Sequence, residues 1–404
     1  MLRAERRRRG DLLAAAALVA AGLAAVGLVV LTSPAAHTTS VPAARPLPTA
    51  PATPSELPPT LAEAWRAPSS ATSAPVTAGP VVVTGDGSTV TGRDPLTGRQ
   101  RWLYRRDIPL CTVGAGWDMA LAVYRRGGYC SEVTALQSAT GKRGPQRNSD
   151  VRPGTQLLDD GALVTATGRD HLETWRSDLV ETLEYGELRA QIEPGTQPRP
   201  NCPHTSVAVT SGLVGVIERC PHEPGDRLTV LRPDNTDSDH PDEALSTILP
   251  STGAKLIALS EDREAVLLPG PTRLSVRDSA GKEVASYPLS MLTSTTGNAT
   301  NVQVAPTTAI PGAYLWWTGV STIALDSDDL HPLWVLPGAL GPGTLLADQL
   351  LVPAPNAELV INPTNGTVLR GISVNRDGYH GPVTTSACGP MLLEQRGPLI
   401  VALR

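Results

Sequence analysis

The sequence predicts an all-β fold: an eight-bladed β-propeller, with seven blades as the alternative, preceded by one N-terminal transmembrane helix. Three observations support this prediction. Beyond residue 78 the chain consists of short β-rich runs separated by Gly, Pro, Asp and Asn. A loose unit of two apolar runs and a polar turn recurs from Pro80 to Pro382 with a mean period of about 43 residues, the size of a four-stranded blade. One uncharged apolar segment precedes these repeats.

The chain begins with a basic tail, residues 1–11, followed by an apolar segment, residues 12–31. Five arginines precede a run without a single charge, which as a helix would rise about 30 Å and cross a hydrocarbon core. The positive-inside rule places the N-terminus in the cytoplasm and the rest outside. A signal peptide cleaved near residues 41–44 is the alternative, but its apolar region is usually shorter. We therefore predict an uncleaved, single-pass anchor in the plasma membrane.

Residues 32–60 are rich in Pro, Ala, Ser and Thr and lack apolar periodicity, which predicts a semi-extended tether. The extracytoplasmic propeller is expected over residues 61–404. Phe is absent and aromatic residues make up 3% of the chain, so the core should consist of Val, Leu, Ile and Ala. The formal net charge is −5, or about −8 without the basic tail, and this acidic exterior argues against nucleic acid as a partner.

The last repeat unit ends after about three strands, so a closed ring needs one strand from elsewhere. The segment LAEAWRAP, residues 61–68, lies just before the first unit, and its Trp65 resembles Trp102 and Trp334 late in complete units. We predict that this segment forms the outer strand of the C-terminal blade. Such closure joins the two ends of the ring and removes two exposed sheet edges.

Five cysteines are consistent with an oxidising compartment. Cys111 and Cys130 enclose two apolar runs around a Gly-containing turn, and Cys202 and Cys220 enclose a similar pattern. Each pattern is the outline of a β-hairpin whose ends meet across the strands. We predict disulfides Cys111–Cys130 and Cys202–Cys220, with Cys388 left as a buried thiol.

The signals for chemical sites are weak. The triplet CPH occurs at residues 202–204 and 220–222, and its Cys and His side chains are of the types that bind zinc. However, Cys111 and Cys130 have nearly the same separation without histidines, so a disulfide explains both cysteine pairs. The acidic segments 233–243 and 326–329 lack the Gly and Glu positions of an EF-hand loop and are expected to be solvated. No GxSxG, P-loop or HExxH motif occurs, and no triad is recognisable around His171, His331 or His380. We predict no catalytic residue, metal ligand or cofactor-binding residue.

Two further patterns contain aromatic residues: arginine pairs beside aromatic side chains, and a pair of adjacent tryptophans. Arginine pairs stand beside aromatic residues at 102–107 and 124–129, where solvated turns are favoured over a local anion or partner patch. The segment LWW, residues 315–317, is expected to form a strand with one or both rings packed between blades rather than to expose an aromatic recognition surface.

The segment GRDPLTGRQRW, residues 92–102, carries the clearest family signal. Its Asp94, Thr97, Gly98 and Trp102 resemble the repeat of pyrroloquinoline-quinone (PQQ)-like propellers, whose outer strands follow a Thr-Gly turn and commonly carry a Trp. Weaker copies occur at 138–142, 278–282, 325–334 and 362–368. Together with the anchor and the tether, the chain is similar to the membrane-anchored PQQ-like propeller proteins of mycobacteria and their relatives. That resemblance implies a fold and no particular activity.

The resemblance also bears on chemistry. Quinoprotein dehydrogenases of this superfamily carry adjacent cysteines and Glu, Asn and Asp ligands for calcium, whereas no two cysteines are adjacent here. The non-catalytic branch, which includes the outer-membrane assembly lipoprotein, uses the same blades as a binding scaffold. We therefore expect a binding or scaffolding module of the cell envelope, with an envelope protein or polymer as its partner. A quinone- or metal-dependent oxidoreductase is the alternative, and a sensor is disfavoured by the short cytoplasmic tail.

Overall fold

The protein is an eight-bladed β-propeller preceded by one apolar helix. The computed structural model describes residues 9–33, 35–47, 49–189, 193–234, 237–289 and 301–404. In these residues, 34 strands form eight separate antiparallel blades. The prediction of an all-β propeller with eight blades is confirmed, and the seven-bladed alternative is wrong.

Helix α1 covers Arg9–Thr32 and contains the apolar segment predicted from the sequence. It is long and apolar enough to cross a membrane, and none of its residues is buried against the rest of the described chain. Length and composition are therefore those of a single-pass anchor.

Three strands precede the first complete blade, blades 1 to 7 each use four strands in chain order, and blade 8 uses the last three strands together with one of the early ones. The early strands are β1 (Thr39–Val41), β2 (Thr60–Leu61) and β3 (Glu63–Pro68). Blade 1 comprises β4 (Val76–Ala78), β5 (Val81–Asp86), β6 (Thr89–Arg93) and β7 (Gln100–Arg105). Blade 2 comprises β8 (Leu110–Gly116), β9 (Met119–Arg126), β10 (Tyr129–Gln137) and β11 (Arg143–Asn148).

The middle of the chain forms blades 3 to 5. Blade 3 comprises β12 (Leu157–Asp159), β13 (Val164–Ala166), β14 (His171–Trp175) and β15 (Glu181–Gly186). Blade 4 comprises β16 (His204–Thr210), β17 (Leu213–Glu218), β18 (Arg227–Arg232) and β19 (Asp242–Ile248). Blade 5 comprises β20 (Lys255–Leu259), β21 (Arg263–Leu268), β22 (Arg273–Asp278) and β23 (Glu283–Pro288).

The last part of the chain forms blades 6 to 8. Blade 6 comprises β24 (Thr307–Ile310), β25 (Ala313–Trp317), β26 (Ser321–Asp326) and β27 (Pro332–Pro337). Blade 7 comprises β28 (Thr344–Leu346), β29 (Gln349–Ala354), β30 (Ala357–Ile361) and β31 (Val368–Val374). Blade 8 comprises β32 (Val383–Cys388), β33 (Met391–Arg396) and β34 (Leu399–Leu403), with β3 as its outer strand.

The first strands of most neighbouring blades contact one another, so these strands line the centre of the ring. The ring has two faces, which we name by their connections. The entry face carries the segments that lead into each first strand and the turns between second and third strands. The turn face carries the turns between first and second and between third and fourth strands. The core consists mainly of Val, Leu, Ile and Ala packed between adjacent blades, as the composition predicted.

Strand β3 closes the ring. It pairs antiparallel with β34, with Trp65 opposite Ala402, and completes the sheet order β3-β34-β33-β32. The predicted outer strand of the C-terminal blade is therefore confirmed. Because β3 comes from the start of the propeller and β34 from its end, the pairing holds the two chain ends together and leaves blade 8 with the four strands of the others.

A buried tryptophan joins blade 1 to blade 2. Trp102 on β7 is fully buried, and its indole N–H donates to the carbonyl oxygen of Ser138 at 2.7 Å. Its ring lies over Gly141, where an added Cβ would come within 2.5 Å of the indole. Gly141 also has a φ of +69°, a conformation that favours glycine. The Thr-Gly turn of one blade is thus shaped to receive the tryptophan of the preceding blade.

The same contact recurs at two other blade junctions. Trp65 donates to the carbonyl oxygen of Pro95 and packs on Gly98, which joins blade 8 to blade 1. Trp334 donates to the carbonyl oxygen in the third-to-fourth-strand turn of blade 7 and packs on its glycine. In the blade 1 turn, the Asp94 carboxylate accepts hydrogen bonds from the backbone N–H and the hydroxyl of Thr97. The motif of residues 94–102 therefore has a structural role at two junctions: its turn receives Trp65 of blade 8, and its Trp102 packs on blade 2.

Both predicted disulfides are present. Cys111–Cys130 spans a Cα–Cα distance of 5.9 Å in blade 2, and Cys202–Cys220 spans 4.4 Å in blade 4. Each bond ties the beginning of a first strand to the turn between second and third strands, on the entry face. Cys388 is a buried free thiol, as expected, and burial raises its pKa to about 11.

Residues 32–60 contact the propeller at several points that the composition did not predict. Strand β1 pairs with β7 as a fifth strand on the rim of blade 1, and the backbone N–H of Ala43 donates to the carbonyl oxygen of Thr140. Leu57 is buried between blades 7 and 8, and β2 pairs in parallel with β31. The domain boundary at residue 60 stays a prediction.

Blade 5 contains a buried carboxyl group that makes stability depend on pH. Burial, and secondly the charge of Asp278, raise the pKa of Glu264 to about 8. Because its pKa is higher in the folded state, the protonated Glu264 contributes stability that is fully present below the unfolded-state pKa near 4.5. This contribution is lost as the pH rises towards 8. Glu264→Gln resembles the protonated acid, so we expect this variant to match the wild type at pH 5 and to be more stable at pH 8.

Urea unfolding of both proteins at pH 5 and pH 8 measures this difference. Glu283→Gln is a control in the same blade. Burial opposes ionisation of Glu283, but hydrogen bonds from Ser275 and Arg273 hold its pKa below the usual value. The charged Glu283 therefore stabilises the fold at pH 8, and Glu283→Gln should reduce stability there. A Glu264→Gln effect of the same size at both pH values would contradict the assignment.

Candidate binding cleft

A cleft of about 640 Å³ opens on the entry face between blades 4, 5 and 6. Its walls come from the beginnings of β16 and β20, from the segment that enters β24, and from the turns after β17, β21 and β25. Gln156 of blade 3 reaches the same opening. A concave site of this size, built from several blades, is the kind of place at which a propeller binds a ligand or a partner segment.

One wall of the cleft is an extended segment, residues 303–306, that enters blade 6. The backbone N–H of Gln303 donates to the carbonyl oxygen of Thr205 at 3.0 Å, and the Val207 N–H donates to the Gln303 carbonyl oxygen at 3.0 Å. This segment therefore adds to the central edge of blade 4 as a short parallel bridge. Val302, just before it, is buried between blades 3 and 4. The wall is fixed to blades 3 and 4 by backbone pairing and by packing.

A fixed arginine lines the cleft. The Asp226 carboxylate is fully buried and accepts hydrogen bonds from the backbone N–H groups of Gly253 at 2.6 Å and Ala254 at 2.8 Å. Its other oxygen accepts hydrogen bonds from the Arg219 guanidinium. The Arg219 side chain is 39% exposed, so Asp226 holds its planar group in place while leaving part of it accessible. Such a group can donate to a carboxylate, carbonyl or hydroxyl oxygen of a partner.

Two adjacent tryptophans form the opposite wall. Trp316 is buried in the core between blades 5 and 6, as the sequence analysis expected. Trp317 is half-buried, lines the cleft and donates its indole N–H to the carbonyl oxygen of Ala339 at 2.8 Å. The expectation that one or both rings pack between blades therefore holds for Trp316, whereas the position of Trp317 in a cleft was not predicted. A fixed aromatic ring beside a charged donor offers both apolar contact and hydrogen bonding.

A lysine also lines the cleft. Lys255 begins β20, and burial lowers the pKa of its ammonium group below the usual range. Together with Arg219 it makes the polar part of the cleft more basic than the acidic domain around it. The chemical character of the site is therefore an apolar, aromatic wall facing a basic wall.

The residues lining the described cleft do not fit the calcium site of a quinone enzyme. Asp226 is its single carboxylate, and both oxygens already accept hydrogen bonds from Arg219 and from two backbone N–H groups. A calcium ion takes six to eight oxygen ligands, several of them carboxylates. We therefore derive no step through calcium or a quinone at this place.

The zinc interpretation of the CPH triplets is wrong, because Cys202 and Cys220 are joined to each other. His204 lies buried and stacked on Tyr185, with ring centroids 5.4 Å apart, and its Nδ1 lies 2.8 Å from the carbonyl oxygen of Gly168. Burial lowers the pKa of His204. This histidine is part of the packing between blades 3 and 4.

Sequence reasoning missed one buried cluster of metal-ligand types, His171, Glu173 and Glu184 of blade 3. The Glu173 carboxylate accepts hydrogen bonds from the indole N–H of Trp175 at 2.9 Å and from the backbone N–H of Asp150 at 2.6 Å, and His171 lies 3.2 Å away. Glu173 is therefore already saturated by protein donors. We interpret the cluster as a polar connection between blades 2 and 3.

The acidic surface segments form two similar clusters. Asp326, Asp329 and His331 meet in a turn of blade 6, and Asp237, Asp239 and His240 meet after β18. Residues 235 and 236 of the predicted acidic loop lie outside the described residues. In the first cluster, the Asp326 carboxylate caps its own turn by accepting from the backbone N–H groups of residues 328 and 329. These contacts are those of a self-capped turn.

The arginine pairs behave differently from each other. Arg105, Arg125 and Arg126 are exposed, as expected of solvated turns. Arg106 is only 7% exposed, lies over the Tyr124 ring at 5.4 Å and pairs with Glu132 at 3.0 Å. The solvated-turn interpretation is therefore wrong for Arg106, because the ring and the carboxylate of blade 2 replace the water around its guanidinium.

No protein-family model and no curated protein matches the chain. Solved structures are similar to it. BamB from Moraxella catarrhalis is 13% identical, with 85% of this chain and 100% of that chain covered and a TM-score of 0.50. The quinohemoprotein alcohol dehydrogenase ADHIIG from Pseudomonas putida HK5 is 11% identical, with 85% and 76% covered and a TM-score of 0.50.

Sqt1 from Saccharomyces cerevisiae is 8% identical, with 87% of this chain and 98% of that chain covered and a TM-score of 0.53. Similarity at these identities establishes a β-propeller fold and nothing about activity. The same fold occurs in BamB and in a dehydrogenase, so it does not distinguish a binding protein from an oxidoreductase.

Proposed function

We propose that this protein is a membrane-anchored, extracytoplasmic binding module of the cell envelope, and that the cleft between blades 4 and 6 receives its partner. In this proposal α1 is the single-pass anchor with its N-terminus in the cytoplasm. The protein would then be of the kind that the sequence resembles in mycobacteria and their relatives. The two disulfides favour an oxidising compartment for the propeller.

The observation that carries the proposal is the construction of the cleft. Asp226 fixes Arg219, and Trp317 stands in the facing wall with its indole N–H held by Ala339. Groups that are held in place before a partner arrives lose little conformational freedom on binding, which favours recognition. Arg219 and Trp317 are also of the residue types that dominate binding energy at interfaces. The partner class that fits is an envelope protein or polymer with exposed oxygen acceptors.

The oxidoreductase alternative has less support. Of the residues lining the described cleft, the one carboxylate is already saturated. Purified protein should therefore lack a stoichiometric quinone absorbance, and such an absorbance would overturn the binding-module proposal in favour of the enzyme.

A photo-crosslinking residue at position 272, on the rim of the cleft, tests the site itself. In intact membranes we expect it to capture one envelope component, and we expect Arg219→Glu to reduce the yield about tenfold, as the loss of one strong charged contact would. The same crosslinker at Lys282, on the turn face of blade 5, is the matched control and should not capture that component. Trp317→Leu is a second cleft variant that leaves the Arg219 and Asp226 pair intact.

Unfolding curves of the variants show whether each one is folded. Equal capture at positions 272 and 282, or capture unaffected by either cleft variant in folded protein, would contradict the assignment of the cleft as the docking site. The anchor is tested separately by the distribution of the full chain between membrane and soluble fractions.

A further inference from the structure

We propose that the entry-face rim of blades 1 and 2 rests on the outer surface of the membrane, where Arg105, Arg125 and Arg126 contact the phosphate groups of anionic lipids. This inference rests on the proposed role of α1 as an anchor. We call this surface the basic rim and define it as residues 105–107, residues 125–126 and Glu132.

The first argument is the length of the connection. Helix α1 ends at Thr32 and β1 begins at Thr39, so six residues separate them. An extended chain spans at most about 3.3 to 3.6 Å per residue, which places β1 within about 25 Å of the end of the helix. Turn hydrogen bonds from Ala36 N–H to the Ser33 carbonyl oxygen and from Thr38 N–H to the Ala35 carbonyl oxygen shorten this reach further.

The second argument is the place at which this connection meets the propeller. Strand β1 pairs with β7 so that Thr39 lies directly opposite Arg105, at the entry-face end of β7. Before it, His37 Nδ1 lies 3.8 Å from the carboxylate of Asp107 in the connection to blade 2. The chain therefore leaves the helix and reaches the propeller at the basic rim itself.

The arginines of blade 2 belong to the same surface. The backbone N–H of Arg125 donates to the Pro109 carbonyl oxygen at 2.8 Å, which joins the blade 2 turn to the connection that carries Asp107. Arg126 pairs with Glu132 at 2.9 Å, and Glu132 also accepts from the buried Arg106. In the described part of the chain, no carboxylate lies within ion-pair distance of Arg105 or Arg125.

The third argument is charge. The basic rim holds four arginines against Asp107 and Glu132, in a propeller whose overall charge is negative. An acidic body is repelled by an anionic membrane surface unless a basic part faces it. Each arginine close to an anionic surface is attracted to it, an effect that disappears within roughly one Debye length. The short connection is what brings these arginines within that distance.

The orientation has a consequence for the cleft. In the ring of eight, blades 5 and 6, which form two of the three sides of the cleft, lie opposite blades 1 and 2. A propeller that rests on the membrane by the basic rim holds the cleft on the far side of the ring, where an envelope partner can approach it. The anchor would then set the orientation of the binding site as well as its location.

The full chain in lipid nanodiscs tests the inference. A fluorophore is attached at Gly128→Cys, in the blade 2 turn where an added Cβ meets no atom within 4 Å, and is quenched by nitroxide groups on lipid headgroups. Val320→Cys, on the entry face of blade 6, and Lys282→Cys are the controls. In discs containing phosphatidylglycerol we expect at least threefold stronger quenching at position 128 than at either control. Phosphatidylcholine discs, or Arg105→Gln with Arg125→Gln, should reduce it about twofold or more.

Three results would overturn the inference. Equal quenching at all three positions would mean that the propeller has no preferred side. Quenching at position 128 that is independent of lipid charge and of both arginines would mean that the connection alone positions the rim. Crosslinks from position 128 to a protein in native membranes, without quenching in anionic discs, would assign the rim to a protein partner. A chain that fails to remain with the discs would refute the anchor, whereas an unquenched rim on a disc-bound chain refutes this inference alone.

Discussion

Trp102→Ala is expected to lower the free energy of unfolding of the propeller by about 3 to 5 kcal/mol, the range found when a buried aromatic residue is truncated. The indole is fully buried at the junction of blades 1 and 2, and it donates to Ser138 across that junction. Its ring fills the space over Gly141, which has no side chain to move into a cavity. The loss therefore combines reduced apolar burial, an unpaired carbonyl group and a cavity that the neighbouring turn cannot close.

Urea unfolding followed by tryptophan fluorescence or circular dichroism measures this loss. Val335→Ala is a matched control on an outer strand, because Val335 is 55% exposed and its truncation should change stability by less than about 0.5 kcal/mol. Trp102→Phe keeps an aromatic ring and removes the N–H donor, so its loss of stability should lie between those of Trp102→Ala and Val335→Ala. A Trp102→Ala effect no larger than that of Val335→Ala would show that the junction does not depend on this contact.

The features that the sequence predicted correctly are those that depend on neighbouring residues or on repetition. Blade number follows from the period of the repeats, and the outer strand at Trp65 follows from the incomplete last repeat. The disulfides follow from hairpins, whose two ends lie close together because their strands are antiparallel neighbours. In each case the information either lies within about one blade or is repeated along the chain.

The cleft could not be predicted in this way, because its walls come from residues of blades 3 to 6 that are brought together by the ring. Arg219 and Asp226 are seven positions apart in an ordinary turn, and Trp317 is distant from both in the sequence. No residue spacing indicates that the segment around Gln303 pairs with blade 4. The burial of Arg106 was missed for the same reason, since Tyr124 and Glu132 belong to the next blade.

Arg376→Met is expected to cost about 3 to 5 kcal/mol of stability, because it removes the cation that two buried carboxyl groups share. Arg376 lies between blade 7 and the closing blade 8, with its side chain 1% exposed. Its guanidinium donates at 2.7 Å both to Glu358 of blade 7 and to Glu394 of blade 8, and both acids are fully buried. The arginine therefore joins the blade that closes the ring to its neighbour.

The pH dependence of this loss identifies its cause. Burial, and secondly the charge of Glu394, raise the pKa of Glu358 well above its usual value, so Glu358 keeps its proton to higher pH than Glu394 does. Burial opposes ionisation of Glu394, but hydrogen bonds from Glu358 and Arg376 lower its pKa overall, so its charge stabilises the fold above pH 4.5 and this contribution is lost as pH falls through the lowered value. Without Arg376, Glu394 must become protonated or remain as a buried charge whose single remaining cation in the described chain is Arg396. The deficit of Arg376→Met should therefore be larger at pH 8 than at pH 5.

Urea unfolding at both pH values measures the deficit, and Glu394→Gln in the Arg376→Met background is the rescue. That double variant removes the carboxylate that Arg376 neutralised, although it also leaves Arg396 without this partner, so it should recover part of the loss at pH 8 and little at pH 5. Recovery independent of pH would indicate a simple packing defect at position 376. A deficit below about 1 kcal/mol would mean that the closing blade is held by its strand pairing and Trp65 without help from the buried ion pairs.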